Sequence, residues 1–397
     1  MPKVIVGISG GVDSSVAAYL LKQQGYEVEG LFMINWHDTT GTLAGDCPWN
    51  DDLVFAELVA RKLGIKLHTI DFSDQYRKRV VDYMFSEYQR GRTPNPDVLC
   101  NREVKFDLFL EEAAALGGNF VATGHYCRKK TTVKDGNHIH HLLCGTDPGK
   151  EQSYFLCQLN QQQLAPALFP VGHLQKKEVR EIASELELPT ANRKDSQGIC
   201  FVGKVDLPEF LRQKLAPASG DIIEIDKESE FAYPERLQPD IPYKEAELKT
   251  YCTAYSFSPS NGTRIGTHNG AHFYTIGQRK GLNIGGKTEP LFILKTDTES
   301  NLLYTGQGHS HPGLNRYGLF IPSADIHWLN DGISMMAGEI RNYKVRIRYR
   351  QPLQNAWLHM HDSGLYILFD EAQRGITPGQ FAVWYHRGEL LGSGVID

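Results

Sequence analysis

Val4, Ile5, Val6 and Ile8 form a short apolar, β-branched run that predicts a buried parallel strand. A polar break, Ser9-Gly10-Gly11, ends it, and Val12, Val16, Ala17, Leu20 and Leu21 then recur at helical spacing. The alternation repeats downstream. Tyr26–Met33 reads as a second strand. Asn50-Asp51 reads as the cap of a helix carrying Val54, Leu58, Val59 and Leu63, which ends at Gly64. Lys66–Phe72 reads as a third strand, Ser73 as the start of a helix reaching Gly91, Leu108–Leu116 as helix and Asn119–Thr123 as strand. Repeated strand–helix units predict an α/β fold with an N-terminal doubly wound parallel sheet, whose ligands bind at the C-terminal ends of the strands.

The pattern then changes. A turn at Asp135-Gly136-Asn137 between Arg128-Lys129-Lys130 and His140–Cys144 predicts a hairpin. Val179, Ile182, Ala183 and Leu186 make Lys176–Leu186 an amphipathic helix. From about residue 219 the chain reads as β-rich, with strand and turn over His272–Leu282 and two more strands over 291–306. Residues 224–249, acidic and interrupted by Pro234, Pro239 and Pro242, read as a solvated excursion. Lys344–Arg350 alternates strictly, with Lys344, Arg346, Arg348 and Arg350 on one face and Val345, Ile347 and Tyr349 on the other. Such a row of cations suits a phosphate backbone, or is the solvated face of a half-buried sheet. The expected organisation is a catalytic domain over 1–205, a small β-rich central domain over 206–312 with an insertion near 227–263, and a C-terminal antiparallel β-barrel over 313–397.

The chain has 397 residues, enough for two or three domains, with ordinary hydrophobic content and a net charge of −5. That balance neither indicates nor excludes a nucleic-acid partner. No apolar run is long enough to span a bilayer, and the chain opens directly into the first strand, so a cytoplasmic protein with no membrane partner is expected. Seven cysteines without paired spacing suit a reducing compartment, and no zinc or iron–sulfur site is expected.

Chemistry concentrates in three stretches. The first is the loop between the opening strand and helix. A helix N-terminus aims unpaired N–H groups at an anion, Ser9, Ser14 and Ser15 add hydroxyls, and Gly10 and Gly11 permit close approach. Asp13 opposes a phosphate unless a Mg²⁺ ion bridges them. The string lacks the Gly-Lys-Ser/Thr of a Walker A loop and is not G-x-G-x-x-G. In the second stretch, Arg92–Asn101, Pro96 suits the first helical position and Asp97 and Cys100 share a helical face. Cys100 is either a thiol activated by the helix dipole or a buried, inert one. The third, Lys194–Gly203, sets Cys200 among Ile199, Phe201 and Val202, where a sulfur shielded from water and a plain core cysteine are both possible.

The string Ser9–Ser15 resembles the pyrophosphatase loop (PP-loop) of enzymes that cleave ATP to AMP and pyrophosphate. The motifs Gly7–Ser15, Gly30–Met33, Gly91–Asn101, Ala122–Tyr126, Gln152–Leu156, Asp195–Gly203, Tyr274–Leu282 and Thr377–Gln380 together resemble, in order, those of the tRNA-specific 2-thiouridylase family. The resemblance implies ATP and Mg²⁺ as cofactors, and as partners tRNA and a persulfide sulfur donor. It implies adenylation of O2 of the wobble uridine, then sulfur transfer from a persulfide on Cys200. Cys100 releases the sulfur, leaving a Cys100–Cys200 disulfide, and Asp97 is acid or base. Gly7, Ile8, Ser9, Gly10, Gly11, Val12, Asp13, Ser14, Met33 and Gly124 fall at ATP positions. Asn95, Pro96 and Asp97 fall at the target base, and His125, Lys150, Glu151, Gln152, Arg348, Tyr349 and Gln380 at tRNA contacts. The segment around Cys200 is expected to move, and Cys252 to lie in an excursion that is a surface loop or, alternatively, a dock for a sulfur donor. Two other readings share the loop: an AMP-forming ligase or amidotransferase for a small metabolite, and an RNA-binding module without catalysis.

Overall fold

The structure is a computed structural model that describes residues 1–38, 48–195, 198, 200, 202–203, 206–228 and 233–397. Its N-terminal part is built on a parallel sheet of five strands, in the spatial order Leu67–Asp71, Glu27–Ile34, Lys3–Gly7, Phe120–Ala122, Ala167–Leu168. The central strand is Lys3–Gly7, and Val4, Ile5 and Val6 are wholly buried, as a strand covered on both faces must be. The helix Val12–Gln23 follows on one face. The sequence marks Asn50 as a cap, but the second helix begins at Pro48 and encloses Asn50 in its first turn, a start that suits a proline.

The stretch from Ser73 to Gln89 is helical but not uniform: a wider π-turn over Arg77–Val81 separates Ser73–Tyr76 from Asp82–Gln89. A second π-helical segment, Asn101–Leu108, joins Pro96–Cys100 to Phe109–Ala115, with Phe106 off helical geometry at φ −122°. Apolar periodicity does not register such turns, because one extra residue per turn leaves the hydrophobic count unchanged. They recur at functional sites.

The hairpin forms as Cys127–Lys134 and Asn137–Cys144, but it does not stay with the parallel sheet. Leu142 and Leu143 pair with Leu390 and Glu389 of the last strand, so the hairpin extends the C-terminal antiparallel sheet. One core consequently runs from Ile5, Leu31 and Phe109 through Tyr154 and Leu156 to Phe381, Val383 and Tyr385. Between them lies a four-stranded sheet in the order Leu291–Asp297, Leu302–Gln307, Gly220–Ile225, Gly262–His268. His272–Leu282, expected as strand and turn, holds the turns but no strand: a 3₁₀ turn at Ala271–Phe273 is followed by further turns.

Two expectations need correction. Residues 224–249 are not wholly a solvated excursion, and Cys252 does not lie in a surface loop. It ends the helix Glu245–Cys252, whose Leu248, Tyr251 and Cys252 pack on Tyr366 and Leu368, and burial pushes its thiol up to about 12. The helix was missed because its apolar side is short and packs on a sheet contributed by residues over a hundred positions away. Nor is Lys344–Arg350 a strand with an unbroken basic face. The strand is Ile340–Arg346, and the chain turns away after it, reaching φ 63° at Arg350. Arg346 points inward and pairs with buried Glu151 at 3.0 Å, while Arg348 donates to the carbonyls of Arg374 and Gly375 at 2.6 Å.

Removing one partner of such a pair strands a buried charge. Arg346→Ala is therefore expected to lower unfolding stability by about 3–5 kcal/mol in urea titration, and a change below about 1 kcal/mol would show that Glu151 is solvated after all.

Candidate active site

The opening strand delivers the chain into Ile8–Gly11 and then the helix at Val12, whose N-cap Gly11 offers no side-chain cap. Gly10 takes φ 70°, where a Cβ would lie 2.3 Å from the Asp52 carbonyl oxygen. Ser9 and Ser14 hydroxyls stand 3.2 Å apart, and Ser15 bonds back to the Gly11 carbonyl at 2.8 Å. Gly124, at the end of the fourth strand, abuts this turn: a Cβ there would sit 2.7 Å from the Ser14 amide nitrogen. Only glycine allows that approach. Met33 is buried in the adjoining core.

Asp13 is held from two sides, by the Tyr126 hydroxyl at 2.6 Å and by Lys176 Nζ at 2.7 and 2.8 Å. Lys176 also reaches Asp195 at 2.9 Å, and Lys150 and Arg180 meet the same carboxylate at 2.5 and 2.9 Å. Burial would raise the Asp195 carboxyl, but hydrogen bonds from Lys150 and Lys176 outweigh it and hold it at about 2. Arg193 donates to the Gly10 carbonyl at 2.8 Å and pairs with Asp52. Arg193 and Asp195 are thus tied to the phosphate-type turn. Lys176, Asp195 and Arg193 were not singled out from sequence, since each reads there as an ordinary solvated charge.

Asn95 caps the short helix Pro96–Cys100 by accepting the Val98 N–H at 3.2 Å, with Pro96 in the first turn, as its sequence predicts. The Asp97 carboxylate accepts the backbone N–H of Cys200 at 2.9 Å, and the Tyr76 hydroxyl donates to the Cys200 carbonyl at 2.7 Å. These two bonds set Cys200 beside Cys100. The Cys100 thiol, wholly buried, hydrogen-bonds to the Cys200 sulfur, and both cysteines are free. Lys105 Nζ stands 3.1 Å from Cys200 Sγ. The hydrogen bond from Cys100 pulls the Cys200 thiol down; burial opposes this and Lys105 reinforces it, giving about 7. Burial pushes Cys100 well above the ordinary thiol range. Burial likewise raises Asp97. His125, buried and hydrogen-bonded to Thr123 at 2.8 Å, is held neutral by burial and by nearby Lys105. The expected motion around Cys200 falls largely on residues 196, 197, 199 and 201, outside the described residues.

Over its whole length the chain is 55% identical to the tRNA-specific 2-thiouridylase of Flavobacterium johnsoniae, covering 100% of both proteins. It belongs to the tRNA-specific 2-thiouridylase family. The 2-thiouridylase of Christiangramia forsetii is also 55% identical, again over 100% of each chain. Domain families described as tRNA methyl transferase HUP domain, tRNA methyl transferase PRC-barrel domain and aminomethyltransferase β-barrel domain match residues 2–204, 255–307 and 321–396. Among solved structures, a 4-thiouridine synthetase–RNA complex with bound ATP aligns at 16% identity with a TM-score of 0.33, over 53% of this chain and 50% of that one.

The residues expected at 2-thiouridylase tRNA positions fall into two groups. Gln380 donates to the Thr93 and Pro94 carbonyls at 2.9 and 3.2 Å and so braces the turn that carries Asn95, Pro96 and Asp97. In the second, Tyr349 meets the Phe155 ring at 4.3 Å, and Glu151 is paired with Arg346. Gln152 is turned inward to accept the Tyr126 N–H at 3.0 Å, and Lys150 is engaged by Asp195. Among the described residues no group of three His, Cys, Asp or Glu side chains could hold a metal ion, and no helix is long and apolar enough to cross a membrane.

Proposed function

We propose that this chain 2-thiolates the wobble uridine of tRNA at the expense of ATP, releasing AMP and pyrophosphate. The observation that supports this most directly is the meeting of Cys100 and Cys200, a hundred positions apart, over one carboxylate and one lysine. ATP would supply the adenylyl group that turns uridine O2 into a leaving group. The amides and hydroxyls of 8–14 suit its phosphates, and Asp13 is the carboxylate available to a phosphate-bound Mg²⁺, in exchange for its present lysine partner. Asn95, Pro96 and Asp97 are assigned to the target base, which must leave its stack to reach them. His125, Lys150, Glu151, Gln152, Arg348, Tyr349 and Gln380 are assigned to tRNA contact.

Sulfur would travel as follows. The terminal sulfur of a Cys200 persulfide attacks C2 and AMP departs with the C2–O2 bond electrons. Cys100 thiolate then attacks Cys200 Sγ and breaks its bond to the transferred sulfur, which stays on the base as C=S. The resulting disulfide needs two electrons from an external thiol before the next cycle. Asp97 moves the proton at the base. We also assign 1–205 to this chemistry, 206–312 to a β-rich spacer and 313–397, as a β-barrel, to tRNA.

Mass spectrometry of tRNA incubated with the protein, ATP, Mg²⁺ and sulfide tests the reading. Thiolated wobble uridine with one AMP per sulfur is expected. AMP without thiolated uridine would instead support a small-metabolite ligase. A sharper test of the nucleotide site is Gly124→Ala. Its Cβ would overlap the Ser14 amide, so ATP affinity by calorimetry should fall at least about tenfold, with stability lower by about 1–3 kcal/mol. Unchanged affinity would move the nucleotide away from this turn.

A further inference from the structure

Lys105 is a cation in an unusual place. It lies between Val104 and Phe106, both wholly buried, and its ammonium points at the sulfur of Cys200 from 3.1 Å. In an α-helix a residue five positions after Cys100 would face elsewhere. Here the chain passes through the π-helical segment Asn101–Leu108, whose i→i+5 turns bring Cys100 and Lys105 to the same side. The titratable groups that face Cys200 among the described residues are Cys100, Asp97, Lys105 and Tyr76; His125 is near enough to Lys105 to feel its charge. Of these only Lys105 carries a positive charge. The carboxylate charge of Asp97 opposes ionisation of the sulfur, whereas the hydrogen bond from Cys100 and the charge of Lys105 favour it, and of these two only the lysine can neutralise the charge formed. Cys200 keeps partial exposure while Cys100 has none, which makes Cys200 the thiol a donor can reach.

We propose that Lys105 is the catalytic cation that keeps Cys200 as a thiolate, enabling it to take sulfur from a persulfide donor. This rests on the carrier role assigned to Cys200 above. In the step, Cys200 thiolate attacks the outer sulfur of the donor R–S–SH. The Cys200 Sγ–S bond forms, the donor S–S bond breaks, and the donor leaves as a thiolate carrying that electron pair. The proton on the transferred sulfur then passes to the departing donor thiolate, so charge is conserved, and Lys105 neutralises the attacking sulfur before the step and the persulfide anion after it.

The test is the pH dependence of Cys200 alkylation by iodoacetamide, read peptide by peptide, alongside loading of Cys200 from glutathione persulfide. In the unaltered protein half-maximal alkylation is expected near pH 7. Lys105→Met should move the midpoint up by at least about one pH unit, lowering alkylation and sulfur loading at pH 7 roughly tenfold. Lys105→Arg should restore most of the loss, which a role in packing alone would not require. An unshifted midpoint in folded Lys105→Met or Lys105→Gln, checked by near-ultraviolet circular dichroism, overturns the proposal. So does a midpoint in the ordinary thiol range for the unaltered protein, a result that needs no variant. If glutathione persulfide places no sulfur on Cys200 while tRNA is still thiolated, the carrier role itself fails. A low midpoint indifferent to Lys105 removes only the lysine.

Discussion

Cys200→Ser is expected to abolish tRNA thiolation, and Cys100→Ser to do the same at a later point. Serine keeps the size of each side chain but removes sulfur exchange, so each loss should reach about a thousandfold or more. The two variants should differ in what accumulates. With Cys100 replaced, Cys200 still faces Lys105 and still rests on the Asp97 carboxylate through its N–H, so it should load sulfur and hold it. With Cys200 replaced, no protein-bound persulfide should form. Intact-protein mass spectrometry after incubation with a persulfide donor, without and then with tRNA and ATP, reads both. ATP affinity should be unaffected in either variant, because the turn that carries Ser9–Ser14 makes its bonds without the two thiols. Full thiolation by Cys200→Ser would remove the carrier from the scheme.

The second large effect is at Asp97. Burial raises its carboxyl above the ordinary value, against the lowering effects of the Cys200 N–H and Lys105. A carboxyl whose folded pKa is raised adds stability at low pH, and that contribution is lost as pH rises through the folded value. Wherever the group is ionised it is therefore a burden on the fold. Asp97→Asn removes the charge and retains an oxygen that can accept the Cys200 N–H. The melting temperature at pH 7 should hold or rise, and the advantage should shrink as pH falls toward 4. Thiolation should nonetheless fall about 10²–10⁴-fold, the usual cost of losing a positioned acid or base. Activity within tenfold of the unaltered protein, measured as product tRNA per minute, would leave Asp97 with an anchoring role only. Loss of stability at pH 7 would contradict the sign assigned to its shift.

Much of this site was legible from the chain alone, for reasons that are local. The turn at Ser9–Ser15 and Pro96 at the first helical position are written in consecutive residues, and the structure builds both as read; the Asn95 cap is an addition of the structure. Four of the five parallel strands followed from apolar runs, because a strand covered on both faces has few alternatives, while the two-residue strand Ala167–Leu168 was not read. What escaped depends on distant partners. Lys105 looks like any helical lysine until the π-turn aims it inward. Arg346 looks like one tooth of a basic comb until buried Glu151, nearly two hundred residues earlier, draws it in. Lys176 and Asp195 gain their meaning only from each other and from Asp13. The convergence of Cys100 and Cys200 lay between these cases. Nothing in either neighbourhood requires it, and only the family resemblance proposed it before the geometry was seen.

The hairpin Cys127–Cys144 has a practical consequence. It leaves the nucleotide-side half of the chain and completes a sheet made otherwise from the last eighty or so residues, while Arg92 reaches Asp397 and Thr93 donates to the Pro378 carbonyl. Cutting the gene near codon 205 would give two fragments, one trailing a ribbon with no mate and the other baring the rim of its final strand to self-association. The halves of this protein are not interchangeable parts. A chimera would have to transplant the ribbon together with the barrel, although the two are far apart in the reading frame.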